Sequence, residues 1–119
     1  MSALELETAG RDRLELWIAF DYGGRAELAH AARAMIEAGL RAEEVDEDVF
    51  AVYLYAPDMP DPDLVIRTSG ELRMSNFLLW QLAYSEFFFV DTLWPDFGEE
   101  DLRQAVAAYA GRQRRFGRR

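Results

Sequence analysis

Hydrophobic and polar positions divide the chain into short blocks whose period changes along its length. Positions 14–20 (LELWIAF) form an apolar run of strand length that ends at the turn Asp21-Tyr22-Gly23-Gly24. The run predicts a buried strand. From about Arg25, Leu28, Ala32, Met35 and Ile36 fall at i, i+4, i+7 and i+8, which predicts a helix with one apolar stripe, stopped by Gly39. Asp46 is placed to cap a second helix reaching about Leu54. Positions 56–62 (APDMPDP) predict a loop, because proline lacks the backbone donor that helices and ladders use.

Positions 63–68 (DLVIRT) predict a second buried strand, ending in polar residues. After a glycine turn, 76–84 (NFLLWQLAY) has helical length and is apolar nearly all round, so it predicts a helix buried in a core or a subunit interface. Positions 87–90 (FFFV) predict a third strand. A last helix over about 99–113 places Leu102, Ala105, Val106 and Tyr109 on one face, with acids in its first turn and arginines in its last. Strands alternating with helices predict an α/β class: a partial parallel sheet flanked by helices. Three strands are few for that class. No repeat or linker divides the 119 residues, which read as one domain.

Composition narrows the function classes. Half of the residues are apolar and 29% charged, the balance of a globular chain. No apolar run approaches the roughly 20 residues of a membrane-spanning helix. The first fifteen residues lack the basic start and apolar stretch of a signal peptide. With no cysteine, a reducing compartment fits, and cytoplasmic is the expected localisation. The net charge is −9, unevenly placed: the first 111 positions hold all 22 acids and eight arginines, and the last eight hold five arginines. Such an acidic body repels nucleic acid, so an anionic partner must be met by placed arginines. The basic tail also fits a solvated helix end whose charge suits the helix dipole. One histidine, His30, sits mid-helix among alanines and reads as structural, which leaves zinc chemistry and a serine–histidine triad without support. Asp58, Asp61 and Asp63 lack the spacing of a calcium loop and read as a solvated loop.

The chemistry concentrates in 67–86 (RTSGELRMSNFLLWQLAYSE). This stretch starts at the C-terminal end of a predicted parallel strand, where α/β proteins bind ligands. Gly70 permits a sharp turn, and Ser75 precedes a predicted helix whose free N–H groups favour an anion. Arg67 and Arg73 bracket that turn. Two guanidinium forks, a hydroxyl and a helix start suit a diphosphate. Pairing of both arginines with Glu71 and neighbouring acids is the alternative that spacing leaves open.

The same stretch resembles the signature of the cis-prenyltransferases, the family of undecaprenyl diphosphate synthase. Three further blocks agree in order: DYGGR (21–25), FVDTLWPDF (89–97) and RQRRFG (112–117). Asp21 and Leu72 depart from the asparagine and histidine usual there, and neither position supplies a diphosphate ligand. The resemblance implies that Arg67, Arg73 and Ser75 bind the diphosphate of isopentenyl diphosphate. It implies that Glu86 assists a Mg2+ ion, and that Arg115 and Gly117, in an R-x-G ending, complete the site across a homodimer interface. It implies an allylic diphosphate as second substrate and no nucleic acid as partner. A lipid product implies transient contact with a membrane surface. The family's metal-binding Asp-Gly-Asn-Gly-Arg-type segment has no counterpart in residues 1–119. The expectation is therefore a C-terminal fragment of the prenyltransferase domain, with no catalytic residue of its own and no elongation alone. A non-catalytic partner subunit of such an enzyme is the main rival reading, and an arginine-tail nucleic-acid binder a weaker one.

Overall fold

The computed structural model describes residues 2–112. A short helix, α1 (Ser2–Thr8), leads into an irregular stretch, then α2 (Gly24–Glu37), a 3-10 turn (Ala42–Glu44) and α3 (Glu47–Val52). Strand β1 (Leu64–Arg67) and strand β2 (Glu86–Phe89) follow, then a 3-10 turn (Trp94–Asp96) and α4 (Glu99–Gly111). The two strands pair in parallel, Leu64 opposite Glu86 and Arg67 opposite Phe89. The α/β class predicted from the pattern holds, in a sheet of two strands among the described residues.

β1 forms because Leu64, Val65 and Ile66 are branched residues that suit a pleated surface, entered from a proline-rich loop. Pairing continues past the strand ends: Val90 N–H donates to Arg67 O at 2.9 Å, Gly70 N–H to Val90 O at 3.1 Å and Ser69 N–H to Thr92 O at 2.8 Å. α3 is capped as expected, with the Asp46 carboxylate accepting from Val49 N–H at 2.8 Å. At the start of α4, Asp101 accepts from Gly98 N–H and from Thr92 Oγ1, both at 2.9 Å.

Several sequence expectations are corrected. Positions 14–20 form no strand. Leu14 is 83% exposed and Phe20 89%, because a buried strand needs hydrogen-bonding neighbours on its edges and nothing among the described residues pairs with this run. Positions 76–84 form no regular helix but a succession of turns, because Ser75, Asn76 and Leu78 all adopt left-handed backbone, with φ of 52°, 62° and 43°. On α2 the buried line is Glu27, Ala31 and Met35, while Ala32 and Ile36 face solvent. The expected face of α4 is only half covered: Ala105 is buried, Leu102 and Val106 are exposed.

The core is correspondingly thin. Its buried hydrophobic residues are Ala31, Met35, Leu54, Leu82 and Ala105. The accessible surface is 10111 Å², against about 6600 Å² for a compact monomer of this mass. Large apolar side chains contribute to the excess, among them Leu14, Phe20, Leu72 and Tyr84, all exposed. No helix among the described residues is long and apolar enough to cross a membrane.

Candidate functional site

The turn that leaves β1 carries the site. Arg67 is the last residue of β1, so the strand pairing holds its backbone while its side chain leaves the sheet's C-terminal end. Its Nη2–H donates to Ser75 Oγ at 3.3 Å. Its Nε is buried and meets no hydrogen-bond acceptor among the described residues. A buried guanidinium N–H without an acceptor costs about 1–3 kcal/mol, which an anion at this turn would recover.

Between these two residues the chain doubles back. Ser69 and Gly70 are left-handed, with φ of 64° and 65°, and a Cβ on Gly70 would stand 3.2 Å from Asp91 Oδ1. Ser75, Asn76 and Leu78 are left-handed as well. Each such non-glycine residue costs roughly 1–3 kcal/mol and persists only where its surroundings over-determine it; such residues gather at ligand sites. Here α2 does the holding. Gly24 N–H donates to Asn76 O at 2.7 Å and Arg25 N–H to Asn76 Oδ1 at 2.9 Å. The approach is close enough that a Cβ on Gly24 would lie 2.7 Å from Leu79 Cγ. Only glycine fits there. Trp80 stacks on Phe50 of α3 with ring centroids 4.6 Å apart, and Tyr22 meets Phe77 edge-on at 5.8 Å.

Of the residues singled out in the sequence, Arg67 and Ser75 are brought together. Arg73 lies on the same turn, exposed, with no hydrogen bond or ion pair to a described residue. Neither arginine pairs with Glu71, so the alternative of simple local ion pairs finds no contact. Glu86 stands elsewhere: it opens β2 opposite Leu64, three residues back from the Arg67 pair, or about 10 Å along the strand. Its Oε2 accepts from Arg112 Nη1 at 3.3 Å, and the same Arg112 nitrogen donates to Phe87 O at 3.0 Å. Arg115 and Gly117 lie outside the described residues. His30 is exposed and rests against the Tyr55 ring at 5.0 Å, a packing role.

Among the described residues no group of three or more metal-ligating side chains occurs. Magnesium takes oxygen donors in near-octahedral geometry. One carboxylate engaged by an arginine does not by itself make such a site, so these residues alone do not fit the ion.

Sequence reasoning missed the residues that hold the turn: Asn76, Gly24, Glu27 and Gln81. Gly24 lies in the block DYGGR and Asn76 and Gln81 in the stretch 67–86, but nothing in the sequence marked their contacts or Glu27, because polar residues that bond across long separations leave no periodicity. Burial, with the bond to Glu27 adding to it, pushes the Tyr22 phenol above the usual tyrosine range.

The family model described as "Putative undecaprenyl diphosphate synthase" matches residues 1–117. An isoprenyl transferase of Fusobacterium nucleatum is 54% identical over 114 residues, covering 96% of this chain and 48% of that protein. A ditrans,polycis-undecaprenyl-diphosphate synthase ((2E,6E)-farnesyl-diphosphate specific) of Xanthomonas axonopodis pv. citri is 52% identical, over 98% of this chain and 47% of its own length. Among solved structures, lavandulyl diphosphate synthase from Lavandula x intermedia, in complex with dimethylallyl diphosphate, superposes with a TM-score of 0.90 at 42% identity, over 98% of this chain and 52% of that one. A probable undecaprenyl diphosphate synthase from Campylobacter jejuni gives 0.81 at 33% identity, over 98% and 54%. The chain thus spans about half the length of the curated relatives it matches. With the Arg67–Ser75 turn in place and a family match that runs nearly end to end, this chain belongs to the undecaprenyl diphosphate synthase family of cis-prenyltransferases.

Proposed function

We propose that this chain holds isopentenyl diphosphate for cis-prenyl transfer onto an allylic diphosphate such as farnesyl diphosphate, giving a polyprenyl diphosphate. The observation that carries the reading is the Arg67–Ser75 pair at the end of β1, with the arginine's buried Nε open to an acceptor. The names of the relatives support the same reaction class. Arg67, Arg73 and Ser75 would bind the diphosphate through charge-assisted bonds. In the reaction, the allylic C1–O bond breaks and diphosphate departs, the alkene of isopentenyl diphosphate forms the new C–C bond at C1, and a proton is lost to leave a cis double bond. The chain's share is positional: fixing the nucleophile by its diphosphate makes the attack effectively intramolecular.

Glu86 is the proposed metal-assisting residue, a single carboxylate for a Mg2+ ion that diphosphate would also ligate. The reading includes a homodimer in which Arg115 and Gly117 complete the partner's site. The exposed apolar surface supports such an association. A cytoplasmic compartment completes the reading, in keeping with the absence of cysteine.

Isothermal titration with isopentenyl diphosphate tests the proposal. The wild-type chain should bind, and Arg67→Ala should weaken binding about 10- to 150-fold, the equivalent of roughly 1.5–3 kcal/mol for a hydrogen bond to a charged group. Absence of heat from the wild type would remove the substrate-holding role and favour a non-catalytic partner subunit.

A further inference from the structure

Only two polar side chains are buried among the described residues, Glu27 at 2% exposure and Gln81 at 4%, and they bond to each other. Neither is among the residues proposed to bind diphosphate. A carboxylate taken out of water must be met by donors. Glu27 is met from three separate segments: the Tyr22 hydroxyl ahead of α2, Tyr55 N–H at 3.1 Å after α3, and Gln81 Nε2 at 3.2 and 3.3 Å to its two oxygens. No arginine is among these partners.

Gln81 follows Ser75 by six residues, in the turn run that replaces the expected helix. Its Oε1 is buried without a hydrogen-bond partner among the described residues, so its amide is oriented by Glu27 alone. The first turn of α2 therefore grips this run at two points. Backbone amides of Gly24 and Arg25 hold Asn76, and the Glu27 side chain holds Gln81. Ser75 lies just before the first grip, Asn76 is that grip, and Leu78 lies between the two; all three are left-handed. Ser75 is the residue that meets Arg67.

We infer that Glu27 is a positioning residue for the diphosphate turn: through Gln81 it keeps 75–81 in the conformation that presents Ser75 to Arg67. The inference rests on the proposed role of that turn in binding isopentenyl diphosphate. Loss of Glu27 would release the C-terminal grip, let the left-handed residues relax, and carry the Ser75 hydroxyl away from the guanidinium. A carboxyl that only fills the core would instead loosen the whole chain.

Two measurements on the 119-residue chain separate these. Hydrogen exchange monitored by mass spectrometry on wild type, Glu27→Leu and Glu27→Asp reads the grip without any ligand. In Glu27→Leu, which removes both oxygens that accept from Tyr55 and Gln81, peptides spanning 74–82 should exchange at least about tenfold faster. The β1–β2 ladder and α4 should be unchanged, and Glu27→Asp should restore part of the protection. Equal acceleration everywhere, or none in 74–82, would overturn the inference. Titration with isopentenyl diphosphate then reads the consequence: Glu27→Leu should weaken binding about tenfold, with partial recovery in Glu27→Asp. Unchanged affinity beside accelerated local exchange would also overturn it. If the wild type itself binds no isopentenyl diphosphate, the substrate assignment falls, while the exchange pattern still decides whether Glu27 holds the turn.

Discussion

Two apolar runs of similar length and composition, 14–20 and 63–68, have opposite fates. The second becomes β1 and pairs with β2 along its whole length. The first stays irregular, with Leu14, Leu16, Ile18 and Phe20 exposed. The difference does not lie in strand propensity, since the first carries Trp17, Ile18 and Phe20 and the second Val65, Ile66 and Thr68, all residues that suit strands. It lies in what stands beside them. β1 is followed by a turn that brings the chain back to supply β2, whereas 14–20 finds no neighbouring strand among the described residues. An apolar run states a need for cover, and only a partner strand meets it.

The same truncation made in both runs sharpens this contrast most. Ile66→Ala, in the paired run, should cost roughly 1–3 kcal/mol in urea unfolding, the cost of an incompletely buried isoleucine. Ile18→Ala, in the open run, should stay within about 0.5 kcal/mol. A loss at Ile18 that equals the loss at Ile66 and grows with protein concentration would show that a second copy covers 14–20. Equality without concentration dependence would break the comparison.

A smaller effect tests what props the turn beyond β1. Asp46 caps α3, and α3 supplies Phe50 to the Trp80 stack. Asp46→Ala should lower stability by about 1 kcal/mol, and an unchanged unfolding midpoint would show that the turn run does not depend on α3.

The smallest expected effect is one of pH. Asp101 accepts from Gly98 N–H and, less strongly, from Thr92 Oγ1, and these bonds hold its carboxyl below the usual aspartate range. A depressed pKa contributes stability above the unfolded value of about 3.9, which is lost as pH falls through the folded one. The start of α4, tied through Thr92 to the end of the paired run, should therefore loosen below about pH 4. Amide exchange at Glu99 and Glu100 checks it: Asp101→Asn should already show the loosened state at neutral pH.

The α/β class, the existence of α2, α3, α4, β1 and β2, the Asp46 cap, and the place of Arg67 at a strand end before a turn were all legible in the residues. Local rules suffice for them: a helical period, a capping side chain, a branched run after prolines. The sequence alone did not determine whether 14–20 would be paired, since strand pairing joins residues far apart and nothing in one run names its neighbour. It also misjudged 76–84. Its apolar residues have helical length, but the tertiary structure spends Asn76 and Gln81 on α2 and takes Asn76 and Leu78 into left-handed backbone, which a helix cannot contain. Glu27 shows the same limit from the other side: at its position a polar residue reads as solvent-facing. Only the meeting of Tyr22, Tyr55 and Gln81 in space makes burial of its carboxyl the lower free-energy choice.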